Sequence, residues 1–302
     1  MLLILTGSLD GSVDLIISNA ESPVFRLNID LIHRYELILE PAYWSIEDPT
    51  GRKISSETAT RAWWWKAFNY GLGGDPMYES EVKYVFREIY SWFAERNAMV
   101  GNPPDLENRL GKITQLRVAE EFLPTLPTSL RLNVPFPMHL MQSAISKPLT
   151  GSTNSQGQVR HTTDVSCAPL DPTFPWLVQT LVQASADITV LILGNEYLAY
   201  RRSRETLAGL DWRSEQLMDA QRWLAIRMPH KYKTGIAKFA EKCGVNWGRL
   251  DFLELADGRW VFLEYNANGQ WGFLELDCPV GLPAKVANFL CNSSTHGWPQ
   301  QA

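Results

Sequence analysis

The stretch DFLELADGRWVFLEYNANGQWGFLE, residues 251–275, sets groups that can bind a cation into an otherwise apolar hairpin. Asp257-Gly258, flanked by two largely apolar runs, is the strongest short-range hairpin signal in the chain. A two-residue turn there pairs Ala256 with Arg259, and the register carries down to Asp251 opposite Glu264. Carboxylates so placed stand about 5 Å apart, where like charges destabilise each other. Glu264 and Asn266, two residues apart on one strand, leave from the same face. A divalent cation held by oxygen ligands would offset the repulsion. Asp251, Glu264 and Asn266 are therefore expected to hold a metal, whereas Glu254 and Asp257 read as solvated edge charges.

Two lysines and a loop extend the pattern. Lys147 ends the strand-like SAISKPL, just before the polar, glycine-containing TGSTNSQGQ, which reads as a mobile loop. Lys112 lies on a helix beyond a Gly/Pro-rich break, AMVGNPPD. Lysines are point-charge partners for phosphate, and a glycine-containing loop lets backbone N–H groups approach phosphate oxygens. Magnesium prefers a few carboxylates plus phosphate oxygens and water to an all-protein cage. Together the pieces describe a site for a magnesium nucleoside triphosphate.

Several elements must position these groups. Strand-like LLILTG, SPVFRLNID and YELILE precede TRAWWWKAF. A helix from about Glu79 carries Val82, Val85, Phe86, Ile89 and Phe93 as one apolar stripe. After the break, Asp105 is placed to cap a helix LENRLGKITQLRVAEEF, which ends before LPTLPTS. ITVLILG–EYLAY is a second hairpin, turning at Gly194-Asn195. Its register puts Leu193 opposite Glu196, Thr189 opposite Tyr200 and Asp187 opposite Arg202. PHKYKTGIAKFAEKCGV is a helix with Tyr232, Ile236, Phe239, Ala240 and Cys243 inward and Gly244 closing it. Of Trp63-Trp64-Trp65, alternation would bury only Trp63 and Trp65 or only Trp64.

Composition bounds the function. The chain has 302 residues, 45% hydrophobic and 20% charged, ordinary values for a folded globular protein. A net charge of −5 argues against nucleic acid as the main partner. No apolar run approaches the roughly 18 residues that span a bilayer, so no membrane partner is expected. MLLIL is too short for a secretory leader and reads as a first buried strand. Cys167, Cys243, Cys278 and Cys291 have no metal-ligand spacing and read as reduced thiols of a cytoplasmic protein.

FLEYNANGQW resembles the FLE-x-N-P-x-GQW segment of ATP-grasp ligases, specifically the microviridin-type maturases that make graspetides from ribosomal peptides. The resemblance extends to ISKPLTGS, TTDV at 162–165, LDWR at 210–213 and GVNWGRLDFLELADGRWVFLE, and AWWWKAF is similar to a WYRR-like segment of the first domain. It implies an α/β ATP-grasp fold: a pre-ATP-grasp domain over 1–98, a central lobe over 99–175 and a C-terminal lobe over 176–302. ATP would lie between the last two. By the same resemblance Lys112 and Lys147 would contact phosphates, and the backbone of Gln179-Thr180-Leu181-Val182 would read adenine. Asp251, Glu264 and Asn266 would hold Mg2+, Arg213 would neutralise phosphate charge, and Asn268 and Gln270 would face the reacting carboxylate.

The implied reaction activates a side-chain carboxylate of a precursor peptide as an acyl phosphate. A Ser/Thr hydroxyl or Lys amine then attacks, giving an ester or amide with ADP and phosphate. Such chemistry needs mainly positioning and charge neutralisation. The competing readings are a ligase adding amino acids to a peptide or protein end, and a non-catalytic nucleotide- or peptide-binding protein; a homodimer is compatible with each. Two departures stand out. The turn proline is replaced in Asn266-Ala267-Asn268, and the usual D-x-R strand reads Asp187-Ile188-Thr189. Arg202, held by Asp187, is either a substitute for the missing arginine or a simple cross-strand ion pair at the surface. The peptide is expected to bind by strand addition or in aromatic pockets near Trp63 to Lys66, since the first 98 residues are not basic enough to attract an acidic leader by charge.

Overall fold

The computed structural model describes residues 1–66, 75–150, 161–205, 207, 209–210 and 222–292. The chain begins with β1 (Leu2–Thr6), α1 (Gly11–Asn19), β2 (Val24–Asn28), β3 (Glu36–Glu40), β4 (Tyr43–Glu47), β5 (Lys53–Ser55), β6 (Arg61–Trp64), α2 (Pro76–Glu95) and β7 (Met99–Val100). β2-β1-β6-β7 form a parallel sheet, and β3-β4-β5 a small antiparallel one. The expected stripe of α2 is present, with Phe86, Ile89 and Phe93 buried. Alternation did not leave any of the three tryptophans exposed: Trp63, Trp64 and Trp65 are all buried. A parallel sheet is covered on both faces. Trp64 packs toward α2, while Trp63 and Trp65 stack 4.6 Å apart toward Trp247 of the last sheet.

The single helix expected from Asp105 is two: α3 (Leu106–Arg109) and α4 (Lys112–Ala119). Gly111 adopts extended backbone (φ −66°, ψ 162°) and starts α4, so Lys112 is its first residue. Asp105 does not cap; its carboxylate takes Arg109 at 2.7 Å. Leu106, Leu110 and Val118 pack on the last sheet, which places Lys112 at the edge of that layer.

Next come β8 (Thr128–Arg131), α5 (Met138–Met141), β9 (Ala144–Lys147), β10 (Thr163–Asp164) and β11 (Trp176–Thr180), forming the central sheet in the order β10-β9-β11-β8. The chain then continues as β12 (Ala184–Leu193), β13 (Glu196–Ser203), β14 (Leu224–Ile226), α6 (His230–Cys243), β15 (Trp247–Leu255), β16 (Trp260–Asn266), α7 (Gly272–Asp277) and α8 (Leu282–Asn292). The last sheet runs β14-β13-β12-β15-β16, with α6 covering one face and Gly244 closing that helix in the left-handed region (φ 66°). β7 belongs to the first sheet, beyond the expected boundary at 98, and β11 is an interior strand of the central sheet, beyond 175. The crossing between central and last sheets is 181–183.

The hairpin β15–β16 reaches the expected pairing by an unexpected route. Its turn has three residues, with Leu255 N–H bonded to the Arg259 carbonyl at 2.8 Å and Gly258 at φ 77°. Near the turn Phe252 therefore pairs with Phe262, one step off the two-residue register. A bulge at Leu263 removes the difference, and Asp251 stands opposite Glu264 as expected.

Candidate active site

A cavity of about 790 Å³ opens where the central sheet, the 181–183 crossing and the last sheet meet. Strand alternation decides which side chains reach it. Phe262 and Tyr265 pack under α6, as does Phe252, which also borders the cavity, while Asp251, Glu264 and Asn266 line it from the other face. Leu263 and Glu264 are consecutive and both line it, which the bulge allows; bulges commonly re-aim side chains beside active sites. Gly248 secures the far end of β15. It sits at φ 129°, and a Cβ there would lie 2.6 Å from the Tyr265 ring. Tyr265 in turn donates from its hydroxyl to the Trp247 carbonyl at 2.5 Å and accepts from Asn102 Nδ2 at 2.7 Å.

The two facing carboxylates are compensated by the chain itself. Lys112 donates to Glu264. Asp251 accepts from Thr189 Oγ1 at 2.8 Å, Arg249 Nη2 at 3.1 Å and Asn266 Nδ2 at 2.8 Å. Asn266 Nδ2 also lies 3.4 Å from Glu264 Oε1, bridging both acids. Burial alone would raise the Glu264 pKa, but Lys112 and then Lys147, with hydrogen bonds from Lys112 and Asn266, bring it down to about 2. Glu264 is therefore an anion throughout the physiological range. Two carboxylates and one amide oxygen on a single face, beside a cavity that carries four Lys and Arg side chains among the described residues, fit a magnesium ion that also takes phosphate and water oxygens. Among the described residues no group of three or more His, Cys, Asp or Glu could form an all-protein cage.

Of the other expected residues, Lys112, Lys147, Thr180, Leu181, Val182 and Asp187 line the cavity. Gln179 does not: its buried side chain donates to Thr128 Oγ1 at 2.9 Å within the central sheet. Leu181 N–H is taken by the Ser143 carbonyl at 3.0 Å, whereas the backbone of Val182 and Gln183 makes no hydrogen bond among the described residues. Asn268 and Gln270 are not on the wall; Gln270 accepts from Ser12 Oγ at 2.9 Å, joining the last lobe to α1. Arg213 and residues 151–158 of the expected loop lie outside the described residues. Arg202 pairs in register with Asp187 as expected, but it is 4% exposed and is not on the cavity wall. Two arginines that the sequence reading missed are on the wall. Arg204, just past the end of β13, lies 3.3 Å from Asp187, and Arg249 stands two residues before Asp251. The same-face rule that linked Glu264 to Asn266 also links Arg249 to Asp251; no comparable signal marks Arg204.

Among the described residues, Trp63 to Lys66 offers no docking site of the expected kind. The tryptophans are buried, and β6 is paired on both sides by β1 and β7. Lys66 lies over the Trp65 ring, 4.8 Å from its centroid, and 3.8 Å from buried Asp10. No helix among the described residues is long and apolar enough to cross a membrane.

No protein-family model matches the chain, and no curated protein matches it. Solved structures do. Macrocyclase MdnC from Microcystis aeruginosa MRC, bound with precursor peptide MdnA, superposes with a TM-score of 0.81 at 22% identity, covering 97% of this chain and 99% of that one. A Chryseobacterium gregarium RiPP-associated ATP-grasp ligase, in complex with ADP and a leader and core peptide, gives 0.79 at 20% identity, covering 96% of each chain. Macrocyclase MdnB from Microcystis aeruginosa MRC gives 0.74 at 22% identity, covering 97% and 99%. The chain has the ATP-grasp fold over nearly its whole length.

Proposed function

We propose that this chain is an ATP-dependent, ADP-forming ligase that cyclises a ribosomally made precursor peptide. It activates a side-chain carboxylate as an acyl phosphate and joins it to a Ser/Thr hydroxyl or a Lys amine. The observation that carries this reading is the placement of Asp251, Glu264 and Asn266 in one cavity with Lys112, Lys147, Arg204 and Arg249. The structures of similar fold described as bound to precursor peptide, or to ADP and a leader and core peptide, support the substrate class. The soluble, cytoplasmic setting rests on four free cysteines and the sequence pattern.

The residues divide the work by position. Val182 and Gln183, whose backbone groups are available at the crossing, face the adenine. Lys147 at the mouth of β9 and Lys112 at the start of α4 hold phosphate oxygens from two sides. Magnesium, when bound, would neutralise charge on the transferred phosphoryl group, held by Asp251, Glu264 and the Asn266 amide oxygen. Arg204, steadied by Asp187, supplies the guanidinium that Thr189 cannot. Fixed cations around a transferring phosphoryl group act by preorganised charge, the largest contribution such a site makes.

The test uses purified protein, Mg-ATP and peptides encoded beside its gene. ADP release with loss of one water per ring supports the reading. Mass gain would indicate an amino-acid-adding ligase instead, and ATP binding without ADP release a non-catalytic protein.

A further inference from the structure

Asp251 and Glu264 are each held by a cation of the chain, and the two pairings differ in quality. Lys112 donates a hydrogen bond to Glu264. Arg249 donates from Nη2 to Asp251 at 3.1 Å, but its Nε, 3.1 Å from the other oxygen, is misaligned. That Nε–H is buried and makes no hydrogen bond among the described residues. A satisfied structural ion pair would use the whole fork of the guanidinium; leaving a buried donor unmade is costly. The side chain is anchored elsewhere: Nη1 donates to the Gln270 carbonyl at 2.8 Å, and the guanidinium lies 5.5 Å from the Phe273 ring centroid. Arg249 thus covers the carboxylate that a metal ion would need, with one buried donor left unmade, beside a cavity built for anionic oxygens.

We propose that Arg249 is a positioning residue that occupies the cation's seat on Asp251 in the nucleotide-free protein and moves to an anionic oxygen of the nucleotide when a metal ion takes that seat. The inference rests on the reading of the cavity as a metal–nucleotide site. Two consequences follow from charge alone. A metal ion without nucleotide must displace a guanidinium that has nowhere better to go, so it binds weakly. Nucleotide gives Arg249 a new partner, so metal and nucleotide strengthen each other's binding by the same factor.

The experiment measures free Mn2+ by electron paramagnetic resonance, with and without a non-hydrolysable ATP analogue. In the wild type the analogue tightens Mn2+ binding by about 30-fold or more, within the usual range of coupling between sites. Arg249→Met should bind Mn2+ alone about 10-fold more tightly, and the coupling should shrink by about the same factor, leaving what direct bonding between metal and phosphate supplies. Arg249→Lys keeps the charge without the fork and should fall between; it carries the test if the methionine variant does not fold, as judged by thermal unfolding. Wild-type Mn2+ affinity and coupling in both variants would overturn the role of Arg249. Wild-type binding of Mn2+ and analogue by Asp251→Asn would overturn the site itself, so the two failures are distinguishable.

Discussion

The two hairpins of the last sheet differ in regularity. β12–β13 turns over two residues and holds eight consecutive pairs, so its faces alternate without a break. β15–β16 turns over three residues and is bulged at Leu263. The regular hairpin contributes mainly a floor: Ile188, Val190 and Ile192 pack under α6, while Asp187 on the cavity wall steadies Arg204 and Thr189 offers Asp251 one hydrogen bond. The irregular one presents Leu263, Glu264 and Asn266 to the cavity. Regular pairing buries and steadies; the interruption aims the charged groups. Breaking one hairpin should therefore abolish chemistry, and softening the other should only weaken it.

The largest effect is expected on the irregular hairpin and the lysine facing it. On the proposed function, Asp251→Asn, Glu264→Gln and Lys147→Ala should each lower ADP formation by at least about 100-fold with the fold retained. Simple relief of carboxylate repulsion would make Glu264→Gln neutral or stabilising. The structure gives the opposite sign, because Lys112 would be left without its acid: apo stability should fall by about 1–2 kcal/mol. Glu264 has a folded pKa lowered from 4.5 to about 2, so its contribution is complete above pH 4.5 and lost as pH falls toward about 2. Denaturation of wild type and variant from pH 7 downward should show the gap closing only in that acid window.

Next in size is Gly248→Ala. The new Cβ would meet the Tyr265 ring at 2.6 Å, on a backbone at φ 129° that favours glycine. A loss of about 2–4 kcal/mol in urea unfolding is expected. In the regular hairpin, Thr189→Val removes one donor to Asp251 and should cost about 1 kcal/mol, with ADP formation down roughly 5-fold. Smallest of all is deletion of Ala256. It converts the three-residue turn into a two-residue Asp-Gly turn while keeping Leu255 opposite Arg259, so stability should change by less than about 1 kcal/mol.

Local patterns were legible where they were regular. The turn at Gly194-Asn195 set the whole β12–β13 register, and the stripes of α2 and α6 named their buried faces. Asp251 opposite Glu264 was also reached, although the turn was one residue longer than read and the bulge at Leu263 restored the register. Neither turn length nor bulge has a sharp signal in the residues Ala256 to Leu263. Non-local packing was less accessible. Trp64 is buried because α2 covers its face, and α3 and α4 are two helices because Gly111 interrupts the run with extended backbone. Arg204 reaches the cavity from beyond a strand end, where no periodicity applies.

The most direct measurement is a crystal structure with manganese and a non-hydrolysable ATP analogue, with the metal located by its anomalous signal. A manganese peak is expected within about 2.5 Å of oxygens from both Asp251 and Glu264, with the phosphates reaching Lys147 and the adenine against Val182 and Gln183. Nucleotide bound outside this cavity, or a metal held by neither carboxylate, would contradict it.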